Sequence, residues 1–270
     1  MSLLRKQSSI AIVCMALLFA PAAHAIDADF TDIWWVPTES GWGVNLVQND
    51  VSLFATFFIY GPNNTPTWYT GQMTFDQTTG VFAGQMFAST GTYFQTVPFN
   101  AAGVQRTAVG SVTFTPTSLQ TGTLQYVVNN GAPVVKNIER TTFRTIPLSG
   151  TYSGRAIDLI ENCQDPSQAS TATLQGVQLT MQHTVATNAF RADVALSDGR
   201  SCTMTGTLTQ SGQLYLTSSG SSTCGNAGTA TQVAQLRKTM LGIEGAWRSV
   251  ITRGSGLCFE TFTFTGIRIQ

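Results

Sequence analysis

Residues 34–71 read WWVPTESGWGVNLVQNDVSLFATFFIYGPNNTPTWYTG, and the spacing of apolar residues in this stretch decides the fold. In 51–60, Leu53, Ala55, Phe57 and Ile59 share one face while Phe54, Thr56, Phe58 and Tyr60 share the other. That is the period of a β-strand, not of a helix. In 41–48, Trp42, Val44 and Leu46 form one face and Gly41, Gly43, Asn45 and Val47 the other. Asn49-Asp50 and Gly61-Pro62-Asn63-Asn64 are turn signals between the runs. The stretch is therefore two consecutive hairpins, almost without charge.

The same grammar extends outward. Strands are expected at 41–48, 51–60, 66–75, 80–88, 92–97, 107–115, 121–128 and 134–144, and then at 149–160, 171–184, 188–196, 200–209, 212–218, 227–237, 243–252 and 257–269. Asp198-Gly199 and Ser211-Gly212 are hairpin turns. Residues 217–231 read as a flexible loop pinned by Cys224, and 231–241 is the one piece ambiguous between helix and strand. The predicted fold class is all-β: two antiparallel up-and-down meanders, each closed as a roughly eight-stranded lipocalin- or avidin-like barrel or folded as a sandwich. Closure as a barrel removes free edges that would make so uncharged a sheet sticky. The segment 146–150 marks the seam, giving domains at 26–147 (aromatic-rich) and 148–270 (cysteine-bearing).

The N-terminus carries an address. Arg5 and Lys6, the apolar stretch 10–20 and the small-residue site Ala23-His24-Ala25 are the parts of a secretory signal peptide over residues 1–25. The apolar stretch is shorter than the about 20 residues a membrane helix needs, and no further helical span is expected after cleavage. The expected location is outside the cytoplasm. Lys+Arg and Asp+Glu stand at 14 each, so loss of Arg5 and Lys6 leaves a small negative charge and no basic stripe for nucleic acid. Charged residues are 10% of the chain against about 25% in ordinary soluble domains. Polarity comes instead from Thr, Ser, Gln, Asn and Gly, a composition familiar from extracellular β proteins.

With Cys14 lost in the leader, Cys163, Cys202, Cys224 and Cys258 remain, and in an exported chain they read as two disulfides. Among the three connectivities the preferred one joins Cys202 with Cys224 and Cys163 with Cys258. No metal or cofactor is expected, because there is no C-x-x-C and His183 is the sole histidine after the leader.

The string Glu39-Ser40-Gly41-Trp42-Gly43-Val44-Asn45-Leu46, with the hairpin 53–60 and Pro66-Thr67-Trp68-Tyr69 behind it, resembles an "ESGWG" β module of exported proteobacterial proteins. The resemblance extends to Ile138-Glu139-Arg140. The second half is similar to cysteine-bearing β modules that accompany it, through Asp198-Gly199-Arg200-Ser201-Cys202. The resemblance implies an exported β-protein of a Gram-negative bacterium, periplasmic or extracellular, and no catalytic residues.

Four of the five tryptophans lie in the opening stretch. Rings in small β domains ordinarily build the core, and Trp35 and Trp68 are the exceptions singled out for function. Trp68 shares its face with Thr70, Gln72 and Thr74, a wet surface bearing an aromatic, which suits a glycan or a small amphipathic ligand. The candidate binding residues are Trp35, Glu39, Asn45, Trp68 and Gln72. Both faces of 51–60 are apolar, so the outer face is expected to be covered by the partner domain or a ligand. No nucleophile–base string of a known hydrolase occurs, and no catalytic residue is assigned. A carboxylate pair would have to join Glu39 with Asp32 or Asp50, while Asp158 and Glu161 read as solvated loop charges. Asp27, Asp29 and Asp32 lack the glycine and glutamate of a calcium loop. The readings in order are a non-catalytic binding protein, an envelope accessory or inhibitor that engages a protein partner, and a carboxylate hydrolase.

Overall fold

The computed structural model describes residues 28–224 and 227–270, with side chains described except at 218–219, 224 and 227–234. Residues 1–27, which include the predicted leader and Cys14, lie outside the described residues. Strands β1 (Asp32–Trp35), β2 (Gly43–Asn49), β3 (Ser52–Tyr60), β4 (Pro66–Asp76), β5 (Val81–Thr90), β6 (Gln105–Pro116), β7 (Thr121–Val128) and β8 (Val134–Arg140) follow one another around a closed barrel. Closure comes from β1 pairing antiparallel to β8, with Trp34 opposite Arg140 and Trp35 opposite Glu139. A second closed barrel follows. Its strands are β9 (Gly150–Glu161), β10 (Ser170–Thr184), β11 (Ala189–Leu196), β12 (Ser201–Ser211), β13 (Leu214–Cys224), β14 (Ala227–Lys238), β15 (Gly242–Arg253) and β16 (Gly256–Arg268). There β16 closes onto β9, with Phe262 opposite Asp158. Both meanders are thus barrels, not sandwiches.

The turn chemistry named above holds: Asp50, Asn64, Gly199 and Gly212 all carry positive φ, the backbone region that Gly, Asn and Asp tolerate best.

Three expectations need correction. First, 92–97 is not a strand. Tyr93, Phe94 and Val97 are exposed at 63%, 77% and 92%, so their alternation has no core to point into, and they lie in the connection from β5 to β6. The eighth strand of the first barrel is instead β1, four residues long, too short for a period to be read from sequence. Second, 217–231 is not a pinned loop: Thr, Ser and Gly there continue β13 and begin β14. Third, Asp158 is no loop charge, as shown below.

The first core gathers inward residues of every strand: Trp34, Val44, Leu46, Leu53, Phe57, Met73, Phe82, Val112, Phe114, Leu124 and Ile138. Phe30, Trp34 and Phe114 meet edge-to-face or tilted at 5.3–6.4 Å, with Phe82 5.9 Å from Phe30. Such ring contacts add about 0.5–1.5 kcal/mol each beyond burial. The Trp34 indole N–H, fully buried, donates to the Phe30 carbonyl at 3.0 Å. These rings fill the lumen at the end where β1 starts. The linker packs on the second barrel: Leu148 is buried in its core, the Tyr152 hydroxyl donates to the Leu148 carbonyl at 2.7 Å, and the Ile146 N–H donates to the Tyr215 hydroxyl at 3.0 Å.

The barrels meet at that aromatic-filled end. The Gln213 N–H, in the β12–β13 turn, donates to Asp32 at 3.0 Å, the Gly212 N–H donates to Thr142 at 2.9 Å, and Arg237 on β14 donates to Asp29 at 3.0 Å. Because the junction sits at one end, the outer face of β3 is not covered by the second barrel. Phe54, Phe58 and Tyr60 are exposed there. Of the three acids in the calcium-like cluster, Asp27 lies outside the described residues, and the other two pair with arginines, Asp29 with Arg237 and Asp32 with Arg140.

Cys163 and Cys258 are disulfide-bonded, joining the end of β9 to the start of β16. Cys202 is also disulfide-bonded, and in the register it lies opposite Cys224, whose side chain is outside the described residues.

Candidate functional site

The turn 36–39 lies at the distal end of the first barrel, away from the junction. Pro37 presets its second position, and the Glu39 N–H closes it on the Val36 carbonyl at 2.9 Å. Gly41, at φ 110° with Tyr60 3.8 Å from where its Cβ would be, then reverses the chain into β2. This geometry hangs Glu39 over the barrel mouth. Its Oε2 accepts from Lys136 Nζ at 2.6 Å and from the Trp42 indole N–H at 3.0 Å. The hydrogen bond from Lys136, and after it that from Trp42, holds the Glu39 carboxyl below its ordinary value, so it is ionised at neutral pH.

Beneath that oxygen the lumen is hollow. A cavity of about 280 Å3 is walled by Phe57, Ile59, Tyr69, Met86, Tyr126 and Val128, with Trp42 and Lys136 at its rim. The volume lies just below the about 300–1,000 Å3 typical of ligand pockets. Lys136 Nζ lies 5.7 Å from the centre of the Trp42 ring. Burial raises the Tyr126 phenol above its ordinary value, so it stays protonated and can donate. One end of the barrel is thus plugged by rings and the other is a small well with apolar walls and convergent polar groups.

The five candidate residues divide. Glu39 belongs to the mouth. Trp35, Asn45, Trp68 and Gln72 face outward, because their inward neighbours Trp34, Val44, Leu46, Tyr69 and Met73 take the core. On that outer face Asn45 lies opposite Ile33 and Thr56, Phe58 opposite Trp68, and Phe54 opposite Gln72. Trp68, 50% exposed, and Phe58 border a shallow depression of about 350 Å3 with Tyr60, Pro66 and Thr67. Glu39 is not brought together with Asp32 or Asp50, which lie at the junction end of the same barrel.

Sequence reasoning missed Trp42 and Lys136 as site residues. The signal was readable in β8, whose inward positions are Val134, Lys136, Ile138 and Arg140: two cations on a core face. Trp42 was placed with Val44 and Leu46 on one face, yet that face opens at the mouth, where a ring lines a cavity instead of filling it.

The second barrel holds a buried acid pair that was also missed. Asp158 sits on the inward face of β9 with Tyr152, Ala156 and Ile160, all buried. Its Oδ2 accepts from Arg200 at 3.0 Å, and its Oδ1 is buried. Glu260, inward on β16, borders the same small space as Asp158, Arg200, Ser249 and Trp247. Burial first, and the Asp158 charge second, push the Glu260 carboxyl up to about 7. His183 lies on the inward face of β10. Its Nδ1 accepts from the Leu148 N–H at 3.4 Å, and Ser149 Oγ bonds only its backbone.

A groove of about 610 Å3 runs along the outside of β9, β16 and β15. Its Arg237 is paired with Glu244 and Asp29, and the groove is an open face on the outside of the barrel, where the mouth is a well inside it.

No protein-family model and no curated protein matches this chain. Among solved structures it is similar to a crystal structure of a protein of unknown function from the DUF3598 family of Nostoc punctiforme PCC 73102, at 13% identity and a TM-score of 0.26. The match covers 88% of this chain and 96% of that one.

Proposed function

We propose that this chain is an exported, non-catalytic binding protein whose first barrel takes a small amphipathic molecule in its distal mouth. The carrying observation is the asymmetry of the lumen, packed with Phe30, Trp34, Phe82 and Phe114 at the junction and hollow beneath Glu39 at the other end. A ligand there would lay its apolar part against Phe57, Ile59 and Met86 and its polar part at Trp42, Tyr126 and Lys136. Export is supported by the leader-like N-terminus and by the Cys163–Cys258 disulfide, a bond that persists in oxidising compartments. The ESGWG resemblance accords with the same reading.

The test is native mass spectrometry of the protein purified from residue 26 onward against a panel of lipids and glycans, with tryptophan fluorescence as the second readout. Bound amphiphile, lost in Met86→Trp with the fold intact, supports the reading. A glycan on the outer face is the second reading, favoured by the exposure of Trp68 beside Thr67 and Thr56. It predicts binding lost in Trp68→Ala and kept in Met86→Trp. No bound species in any class sinks both and favours a protein partner in the envelope.

A further inference from the structure

The geometry points to an anionic headgroup on the amphiphile, with Glu39 occupying the position that the ligand's oxyanion takes. The inference rests on the binding reading above and specifies its ligand class. Two donors on the barrel wall, Lys136 Nζ and the Trp42 indole N–H, converge on a single oxygen, Glu39 Oε2, at 2.6 and 3.0 Å. Convergence of an ammonium and a second N–H on one point is the arrangement that recognises a carboxylate, sulfate or phosphate oxygen.

The two sides of the ion pair are held differently. Lys136 is part of β8, between Val134 and Ile138 on the inward face, and its side chain is 25% exposed. Glu39 belongs to a four-residue turn, and its side chain is 41% exposed. Swinging Glu39 into water therefore completes the hydration of an already half-exposed carboxylate, whereas Lys136 is anchored in a strand and points into the lumen. Glu39 and Lys136 are the only charged residues lining this cavity among the described residues, and the rest of the wall is aromatic or aliphatic. A neutral ligand would leave the Glu39–Lys136 pair closed above it. An anionic one replaces Glu39 on both donors and extends its chain into the well.

The experiment compares decanoate with decanol by isothermal titration calorimetry at neutral pH, on the wild-type chain and on Glu39→Gln and Lys136→Met. The wild type should bind decanoate more tightly than decanol. Glu39→Gln removes the internal competitor and should tighten decanoate about tenfold, the scale of one charge-assisted hydrogen bond. Lys136→Met should weaken decanoate about tenfold and leave decanol unchanged. Because Glu39→Gln and Lys136→Met act in opposite directions, loss of fold cannot imitate the result. Equal binding of both probes, or weaker decanoate in Glu39→Gln, overturns the anionic headgroup while the binding reading stands. Binding of neither probe overturns the inference together with an amphiphile site in the mouth.

Discussion

Arg140 and Asp32, on β8 and β1 of the first barrel, form an ion pair at 3.0 Å whose side chains are 1% and 6% exposed, at the end that meets the second barrel. Arg140 closes β8, lies 4.9 Å over the Trp34 ring, and donates to the carbonyls of Leu119 and Thr31 at 2.7 and 3.1 Å. The Asp32 oxygen that receives Arg140 also receives the Gln213 N–H of the second barrel. Burial pulls the Arg140 pKa below its ordinary value, and the Asp32 charge opposes that shift.

Replacing Arg140 leaves Asp32 buried without its counter-ion, a loss worth about 3–5 kcal/mol. Arg140→Met should therefore lower the urea midpoint of the first barrel strongly. A change within error of wild type would show that the pair is dispensable.

Gly212 tests the junction from the other side. Its φ is 58°, and a Cβ there would stand 2.1 Å from Asp32 Oδ2. Gly199 has φ 88° with nothing within 4 Å, so Gly199→Ala carries only left-handed strain, about 1–2 kcal/mol. Gly212→Ala should cost more than Gly199→Ala in parallel chemical denaturation. Equal losses would mean that the Asp32 contact yields freely.

Glu260 makes the second barrel sensitive to pH. The unfolded chain releases this proton near the ordinary 4.5, and the folded chain keeps it until about 7. Between those values the folded state binds more protons, so stability falls as pH rises. Asp158, Arg200 and Arg253 are the charged groups that act on it. Denaturation midpoints compared at about pH 5 and about pH 8 should fall more in the wild type than in Glu260→Gln. Identical slopes in the two proteins would place the proton elsewhere.

The Cys163–Cys258 bond spans a sequence separation of 95. Constraining a loop of that length in the unfolded chain is worth about 2–5 kcal/mol. The double variant Cys163→Ala/Cys258→Ala should lose that much in urea unfolding, and the same midpoint in both proteins would remove the disulfide from the account.

The architecture was written in alternation and turn chemistry, both local. Period-two runs such as 51–60 and turns such as Asn49-Asp50 specify hairpins without reference to the rest of the chain, and consecutive hairpins specify a meander. The run 92–97 shows the limit of that reading. It alternates like a strand, but a strand needs a core on one side, and Tyr93 and Phe94 have none. The cysteine pairing of 163 with 258 was legible because a meander that closes must bring its first and last strands together.

The site was legible only in part. Glu39 could be singled out from its aromatic setting, and Trp42 lies only three residues from it, but Lys136 comes from β8, 97 residues away, and meets Glu39 only when β1 closes onto β8. Inward Lys136 and inward Asp158 look like surface charges until the barrel defines which face is the lumen. Which end of that lumen is plugged and which is hollow depends on the volumes of Phe30, Trp34, Phe82 and Phe114 packed together. The sequence alone determined the hairpin turns and most of the strands, and with them the meander order, but not the short β1 or the absence of a strand at 92–97. Tertiary packing decided where the barrels touch, which rings became floor, and which end was left open, because those depend on contacts between residues that no local pattern relates.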